Sequence, residues 1–333
     1  MGMRLLGRVV LIVVGVLLVV LVAGYLALLR PDIPYARLEA KYANAQSRFM
    51  NLPGGLHVHY RDQGLANGPP VVMVHGFSAS LHTWEPWVRL IGGSYRVVTL
   101  DLPGHGLTRA PAGYAATING YADIVDGVAR RLELPPYVVV GNSMGGAVAW
   151  DDVLRHPDRV RGLVLVDSAG WPEKVRGGDG PLIFKLMRNP ISRALIRDLD
   201  VRPIAKRALE AAYVDKSLVT PALVDRYVEL ARAPGHREIL LTIQNRPDSG
   251  VTADTFRKIA VPTLVMHGDD DRLIPVADGH AFAAAIPGAR LITYPGVGHV
   301  PMEQIPDRSA ADLKVFLDGL SASGPRPPAS AGR

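Results

Sequence analysis

The chain predicts an α/β fold: a mostly parallel central sheet flanked by helices, with an inserted helical cap and one N-terminal transmembrane helix. Three observations predict it. Apolar runs at 71–75, 96–101, 137–141, 163–167, 263–267 and 290–294 are mostly continuous rather than alternating, as in parallel strands covered by helices on both faces. Stretches with helical periodicity lie between the first four runs. Third, Tyr137-Val138-Val139-Val140-Gly141-Asn142-Ser143-Met144-Gly145-Gly146 leads from one apolar run through Gly-x-Ser-x-Gly into a helix-like segment at Ala147. A serine there sits on a sharp strand-to-helix turn with its hydroxyl exposed above the sheet. Such a turn brings neighbouring chain so close that only glycine fits at Gly141 and Gly145.

The elements follow in order. Val9–Leu29 is 21 consecutive residues without a charge, roughly 30 Å as a helix and enough to cross a bilayer core. A cleaved signal has an apolar region of only about 7–15 residues, so residues 1–30 are expected to be an uncleaved anchor. Arg4 and Arg8 precede the span and Arg30, Arg37, Lys41 and Arg48 follow it, so the positive-inside count does not decide orientation. The very short leading tail favours an N-inside arrangement with the remaining chain on the extracytoplasmic side. Residues 31–55, with prolines at 31, 34 and 53, are expected to be a juxtamembrane connector. The first part of the core is placed at 56–171, opening on the alternating strand Leu56-His-Val-His-Tyr60. Within it, Ile118, Tyr121, Ala122, Val125, Val128, Ala129 and Leu132 predict a helix across 117–134.

The gap between Asp167 and Val261 breaks the strand–helix rhythm. Asn189 followed by Pro190 is a helix start signal, and Ile191, Leu195 and Leu199 recur at i, i+4, i+8. Residues 172–250 are therefore read as an inserted helical cap. The stretch carries 14 Lys+Arg against 10 Asp+Glu. Its apolar faces are expected to pack on the core; contact with lipid headgroups beside the anchor is the second reading. The core resumes at 251–320, and 321–333, rich in Pro, Ser, Ala and Gly, is expected to be disordered.

Composition removes several classes of function. There is no cysteine, hence no disulfide framework, thiol catalysis or Cys-based metal site. The net charge of +6 comes without a basic stripe interleaved with aromatics, so no nucleic-acid partner is expected. The chemistry instead concentrates on loops after strands, where open α/β sheets place their ligand sites. Asp269-Asp270-Asp271 follows the run ending at Gly268, Asp167 ends the run before it, and Pro295-Gly296-Val297-Gly298-His299 follows the last run. Serine, then acid, then histidine is the chain order expected with such a serine turn. Asp101 and His105 read as loop-stabilising residues.

His75-Gly76-Phe77, Asp101-Leu-Pro-Gly-His-Gly106, Gly141-Asn-Ser-Met-Gly145, Gly268-Asp-Asp-Asp271 with Pro275, and Gly298-His299 stand in an order that resembles the α/β-hydrolases. The match extends from about His57 to Leu320. The resemblance implies the α/β-hydrolase fold and a Ser-His-Asp triad of Ser143, Asp271 and His299, the acid being the last residue of Gly-x-x-Asp. It also implies an oxyanion hole made by the backbone N–H groups of Phe77 and Met144, with no cofactor and no metal. Ser143 argues against relatives that use an aspartate nucleophile. Hydrolysis of carboxylic esters, lipid-like or acylglycerol esters among them, is the expected activity. Gly-Asn-Ser-Met-Gly-Gly also resembles hydrolases that cleave carbon–carbon bonds in ring-fission products. Those usually carry a Pro-Gly-rich oxyanion loop and a tryptophan after the histidine, where this chain has Phe77-Ser78-Ala79-Ser80 and Val300. A non-catalytic, membrane-tethered binding protein is the alternative of a different class.

Overall fold

The computed structural model describes residues 2–172, 189–243 and 250–322. Eight strands form one sheet in the order β1-β2-β4-β3-β5-β6-β7-β8. They are β1 Ser47–Leu52, β2 Leu56–Gly64, β3 Pro70–Val74, β4 Arg96–Leu100, β5 Tyr137–Asn142, β6 Val160–Val166, β7 Thr263–Gly268 and β8 Arg290–Tyr294. From β4 to β8 every pairing is parallel, whereas β1 on β2 and β2 on β4 are antiparallel. The valines and leucines of β3, β5, β6 and β7 are fully buried, which is why these strands read as unbroken apolar runs. Burying each such side chain contributes about 1.5–3 kcal/mol.

The helices that cover the sheet are short, and some are announced by their caps. After α1 (Gly2–Leu28) and α2 (Tyr35–Tyr42) come α3 (Glu85–Ile91), α4 (Ile118–Arg131) and α5 (Met144–Arg155). Thr117 caps α4 by accepting from Gly120 N–H. The cap contributes α6 (Pro190–Ile196), α7 (Arg202–Ala212), α8 (Pro221–Ala231) and α9 (His236–Thr242). Asn189 caps α6 as its sequence predicts, accepting from the N–H groups of Ile191 and Ser192. Then follow α10 (Ala253–Phe256), α11 (Val276–Ala285), α12 (Pro301–Gln304) and α13 (Pro306–Ala322).

The chain departs from its expected organisation in two places. The connector expected over 31–55 contains α2 and β1, so the sheet begins at Ser47 rather than at Leu56. β1 escapes notice because it is a half-exposed edge strand of alternating burial; its hairpin to β2 turns on Gly54 and Gly55, at φ +78° and +76°. The apolar row of α6 does not pack on the core: Ile191 and Leu195 are exposed, whereas Leu209 on α7 and Leu223, Val224 and Val228 on α8 are buried. The expected disordered tail lies, apart from Ser321 and Ala322, outside the described residues, as does most of Pro181–Asn189.

α1 stands apart from this core. Leu6–Leu28 is long and apolar enough to cross a membrane, and none of the stretch is buried in the protein.

Candidate active site

Topology places the site. The connection β3-α3-β4 runs toward one edge and β4-α4-β5 returns past β3, so strand order reverses between β3 and β5. The crevice beyond their carboxyl ends is where such sheets bind ligands. The loop after β3 carries Gly76-Phe77 and the turn after β5 carries Ser143.

Ser143 has φ +55° and ψ −121°, a backbone state that costs a non-glycine residue about 1–3 kcal/mol. Its N–H donates to Val166 O at 3.0 Å, and its carbonyl accepts from Gly146 N at 2.9 Å and Ala169 N at 3.0 Å. The flanking glycines permit the close approach. A Cβ on Gly141 would lie 2.0 Å from Gly145 O, and one on Gly145 would lie 2.1 Å from Val74 O. Met144 opens α5, so its N–H is one of the first-turn donors without an intrahelical acceptor. Gly76 packs against the serine, since a Cβ there would meet Ser143 Cβ at 3.1 Å. The Phe77 backbone therefore follows directly from a residue in contact with Ser143.

Two buried side chains shape the Phe77 loop from below. Leu102 N–H donates to His75 Nε2 at 3.1 Å, which makes Nδ1 the protonated nitrogen; it donates to Gly76 O at 2.8 Å. Asp101 accepts from His59 Nδ1 at 2.7 Å, Leu81 N at 2.8 Å and Leu107 N at 2.9 Å. Burial pushes the Asp101 carboxyl up, but the His59 hydrogen bond and the neighbouring imidazoles outweigh it and hold the group well below the usual carboxylate range. A depressed carboxylate stabilises the fold above its unfolded pKa, about 4, and loses that contribution as pH falls further. Asp101→Asn is therefore expected to cost about 3–5 kcal/mol at pH 7, the usual penalty for breaking a buried pair. The difference from wild type should shrink below about pH 4. Melting curves from pH 3 to 8 check this; equal melting temperatures at pH 7 would contradict it.

The acid and the histidine come together. His299 Nδ1 lies 2.7 Å from Asp271 Oδ2, both groups buried. Asp271 Oδ1 accepts from Leu273 N at 2.7 Å and Ile274 N at 3.1 Å. Burial raises the Asp271 pKa, but the His299 hydrogen bond and these amides prevail and hold it below the ordinary value. With Nδ1–H directed at a carboxylate, the neutral His299 imidazole presents Nε2 as its unprotonated nitrogen. The competing acids are placed elsewhere: Asp269 and Asp270 point into solvent as exposed residues. Asp167 is nearer. It is wholly buried at φ +45°, and polar atoms of Asp167, Asp271 and His299 lie within 4.8 Å of one another. Gly268 N–H donates to Asp167 Oδ1 at 2.9 Å. Burial and the Asp271 charge push the Asp167 carboxyl well above its ordinary value.

Three further groups hold the histidine loop. Asn142 Nδ2 donates to His299 O at 3.0 Å and to Val166 O at 3.2 Å. His299 N–H donates to Ala212 O of the cap helix α7 at 2.8 Å, and Gly298 N–H donates to Gln304 Oε1 at 2.9 Å. Asn142 was legible in principle, because a buried amide beside the serine must find partners. A backbone carbonyl such as that of Ala212 leaves no trace in residue type. A cavity of about 640 Å³ lined by Lys41, Arg61, His82, Arg226 and Glu303 includes none of the triad candidates. Its cations pair locally, Arg61 with Glu85 and Lys41 with Glu229, so it is a structural ionic network.

Comparison with known proteins identifies the fold family. The model of the alpha/beta hydrolase family matches residues 71–312. A 2-hydroxy-6-oxononadienedioate/2-hydroxy-6-oxononatrienedioate hydrolase of Comamonas testosteroni is 31% identical over 255 residues, 73% of this chain and 84% of that protein. Among solved structures, a thermophilic esterase from Thermogutta terrifontis is similar with a TM-score of 0.69 and 26% identity, over 83% of this chain and 99% of its own. A bacterial membrane phospholipase A is similar with a TM-score of 0.67 and 25% identity, over 96% of this chain and 99% of its own. With a family model matched over most of its length and a strained serine turn at the crevice of the sheet, the chain belongs to the alpha/beta hydrolase family and is a hydrolase.

Proposed function

We propose that the protein hydrolyses carboxylic esters, lipid-like or acylglycerol esters among them, through an acyl-enzyme on Ser143. The observation that carries this reading is the buried His299–Asp271 hydrogen bond of 2.7 Å in the crevice that holds the serine turn. His299 Nε2 takes the proton of Ser143 as Oγ attacks the acyl carbon, while Asp271 keeps the imidazole in the required tautomer and stabilises its cation. The N–H groups of Phe77 and Met144 receive the charge that develops on the carbonyl oxygen. His299 then returns the proton to the leaving alcohol. Water repeats the attack with His299 as base, releasing the acid. The chemistry calls for no cofactor or metal.

Location completes the reading. An apolar span left entirely unburied, Leu6–Leu28, is unstable in water and stable in a bilayer. We take α1 as a single-pass anchor with the N-terminus inside and the hydrolase domain on the extracytoplasmic side. The similarity of nearly the whole chain to a membrane phospholipase A supports both the anchor and a lipid-like ester.

Carbon–carbon bond hydrolysis is the second reading, favoured by the 31% identical relative from Comamonas testosteroni. One assay separates the readings. p-Nitrophenyl and glyceryl esters of increasing chain length are compared with a 2-hydroxy-6-oxo-dienoate. The ester reading expects kcat/KM for the best ester to exceed that for the dienoate by about 100-fold or more, a transition-state difference of roughly 2.7 kcal/mol. The reverse order would make the protein a carbon–carbon hydrolase. A binding protein without catalysis would turn over neither.

A further inference from the structure

The exposed row on α6 acquires a partner from the way the anchor is joined to the cap. Ile191 and Leu195, one turn apart, leave 72% and 53% of their surface uncovered. Leu29, just past the end of α1, pairs with Leu199 in an antiparallel bridge. Arg30 N–H to Asp198 O at 2.7 Å and Asp200 N–H to Leu28 O at 2.9 Å close that bridge. The Arg30 side chain pairs with Asp200 at 3.0 Å. The nearly buried Arg237 locks the junction, donating to Arg30 O at 2.7 Å and Asp32 at 2.5 Å and reaching Asp198 at 3.1 Å. The anchor is therefore bolted to the cap, and it does not swing on a free linker.

That junction also sets a depth. Tyr25, in the last turn of α1, donates its hydroxyl to Leu195 O at 3.1 Å. Helical side chains lean toward the helix N-terminus, so this hydroxyl stands no farther out than its own turn. Leu195 is consequently level with the end of the apolar span Leu6–Leu28, at the depth where tyrosines line membrane interfaces.

We infer that α6 is a lipid-contacting element, with Ile191 and Leu195 entering the boundary of the same leaflet from which the anchor emerges. This rests on the reading of α1 as a membrane anchor and goes beyond it. The leaflet covers an apolar face that the described residues leave bare, and the 29–32 junction holds the cap at one attitude on the membrane. It also changes the role expected of residues 1–30. A chain cut at Pro31 loses Leu29 and Arg30, and with them one side of the bridge, so the anchor is a strut for the cap as well as a tether.

The absence of cysteine makes the test direct. Ile191→Cys, Leu195→Cys, Val14→Cys and Val315→Cys are made singly in the full chain, all at exposed positions, and labelled with a nitroxide. Each protein is placed in vesicles of phosphatidylethanolamine and phosphatidylglycerol. Collision of the label with oxygen, which concentrates in lipid, is compared with collision with a water-soluble nickel chelate. Labels at 191 and 195 should resemble the label at 14 in the anchor, favouring oxygen several-fold over the label at 315 on α13. Labels at 191 and 195 that match 315, with 14 in lipid, would overturn the inference and leave the anchor standing. A water-exposed label at 14 would overturn the anchor reading and this inference together.

Discussion

Replacing Ser143 with alanine is expected to lower kcat for ester hydrolysis by about a million-fold, the scale of serine knockouts in other triads, with the fold intact. The turn is held by backbone hydrogen bonds of Ser143 to Val166, Gly146 and Ala169, and alanine preserves all of them. It removes only Oγ, the atom that would attack. Melting temperature and near-ultraviolet circular dichroism should match the wild type. Retention of more than a few per cent of activity would mean that the nucleophile is elsewhere.

Asp271→Asn is expected to lower kcat by about ten-thousand-fold, as in triads where the acid is made neutral and the histidine takes the wrong tautomer. Asp167→Asn should be mild, within a few-fold of wild type, because burial and the Asp271 charge already disfavour a charge on Asp167. The two residues are nevertheless coupled. Removing the charge at 271 removes one of the causes that keep the proton on Asp167, so Asp167 can ionise beside His299. The residue of activity in Asp271→Asn should therefore fall by a further factor of about 10 in the double variant. Steady-state kinetics on the two single variants and the double decide the matter. A crippled Asp167→Asn with a mild Asp271→Asn would move the acid to the end of β6.

Much of this was legible in the sequence because parallel strands buried on both faces leave continuous apolar runs and the serine turn demands glycines. A Cβ 2.0 Å from Gly145 O at position 141 is the physical content of the Gly-x-Ser-x-Gly pattern. β1 was not legible, since an edge strand half in water alternates weakly and the Pro53-Gly54-Gly55 turn that follows it resembles a linker. Nor could periodicity distinguish α6 from a packed helix, because Ile191 and Leu195 have the spacing of a buried row. Their exposure is a three-dimensional fact, as is the long-range backbone pairing of Leu29 with Leu199 beside them. Likewise, Asp167 and Asp271 lie far apart along the chain, and only the adjacency of β6 and β7 lets one raise the pKa of the other. The Ala212 carbonyl on the His299 amide is a backbone contact, visible only in three dimensions.

The central claim, a covalent acyl-enzyme on Ser143, is tested most directly by the mass of the protein itself. Enzyme mixed with a p-nitrophenyl ester and quenched in acid within the first turnover should gain the mass of one acyl group. Peptide analysis should place that group on Ser143, and Ser143→Ala should show no gain. An unmodified mass during active turnover, or an acyl group on any other residue, would contradict the account.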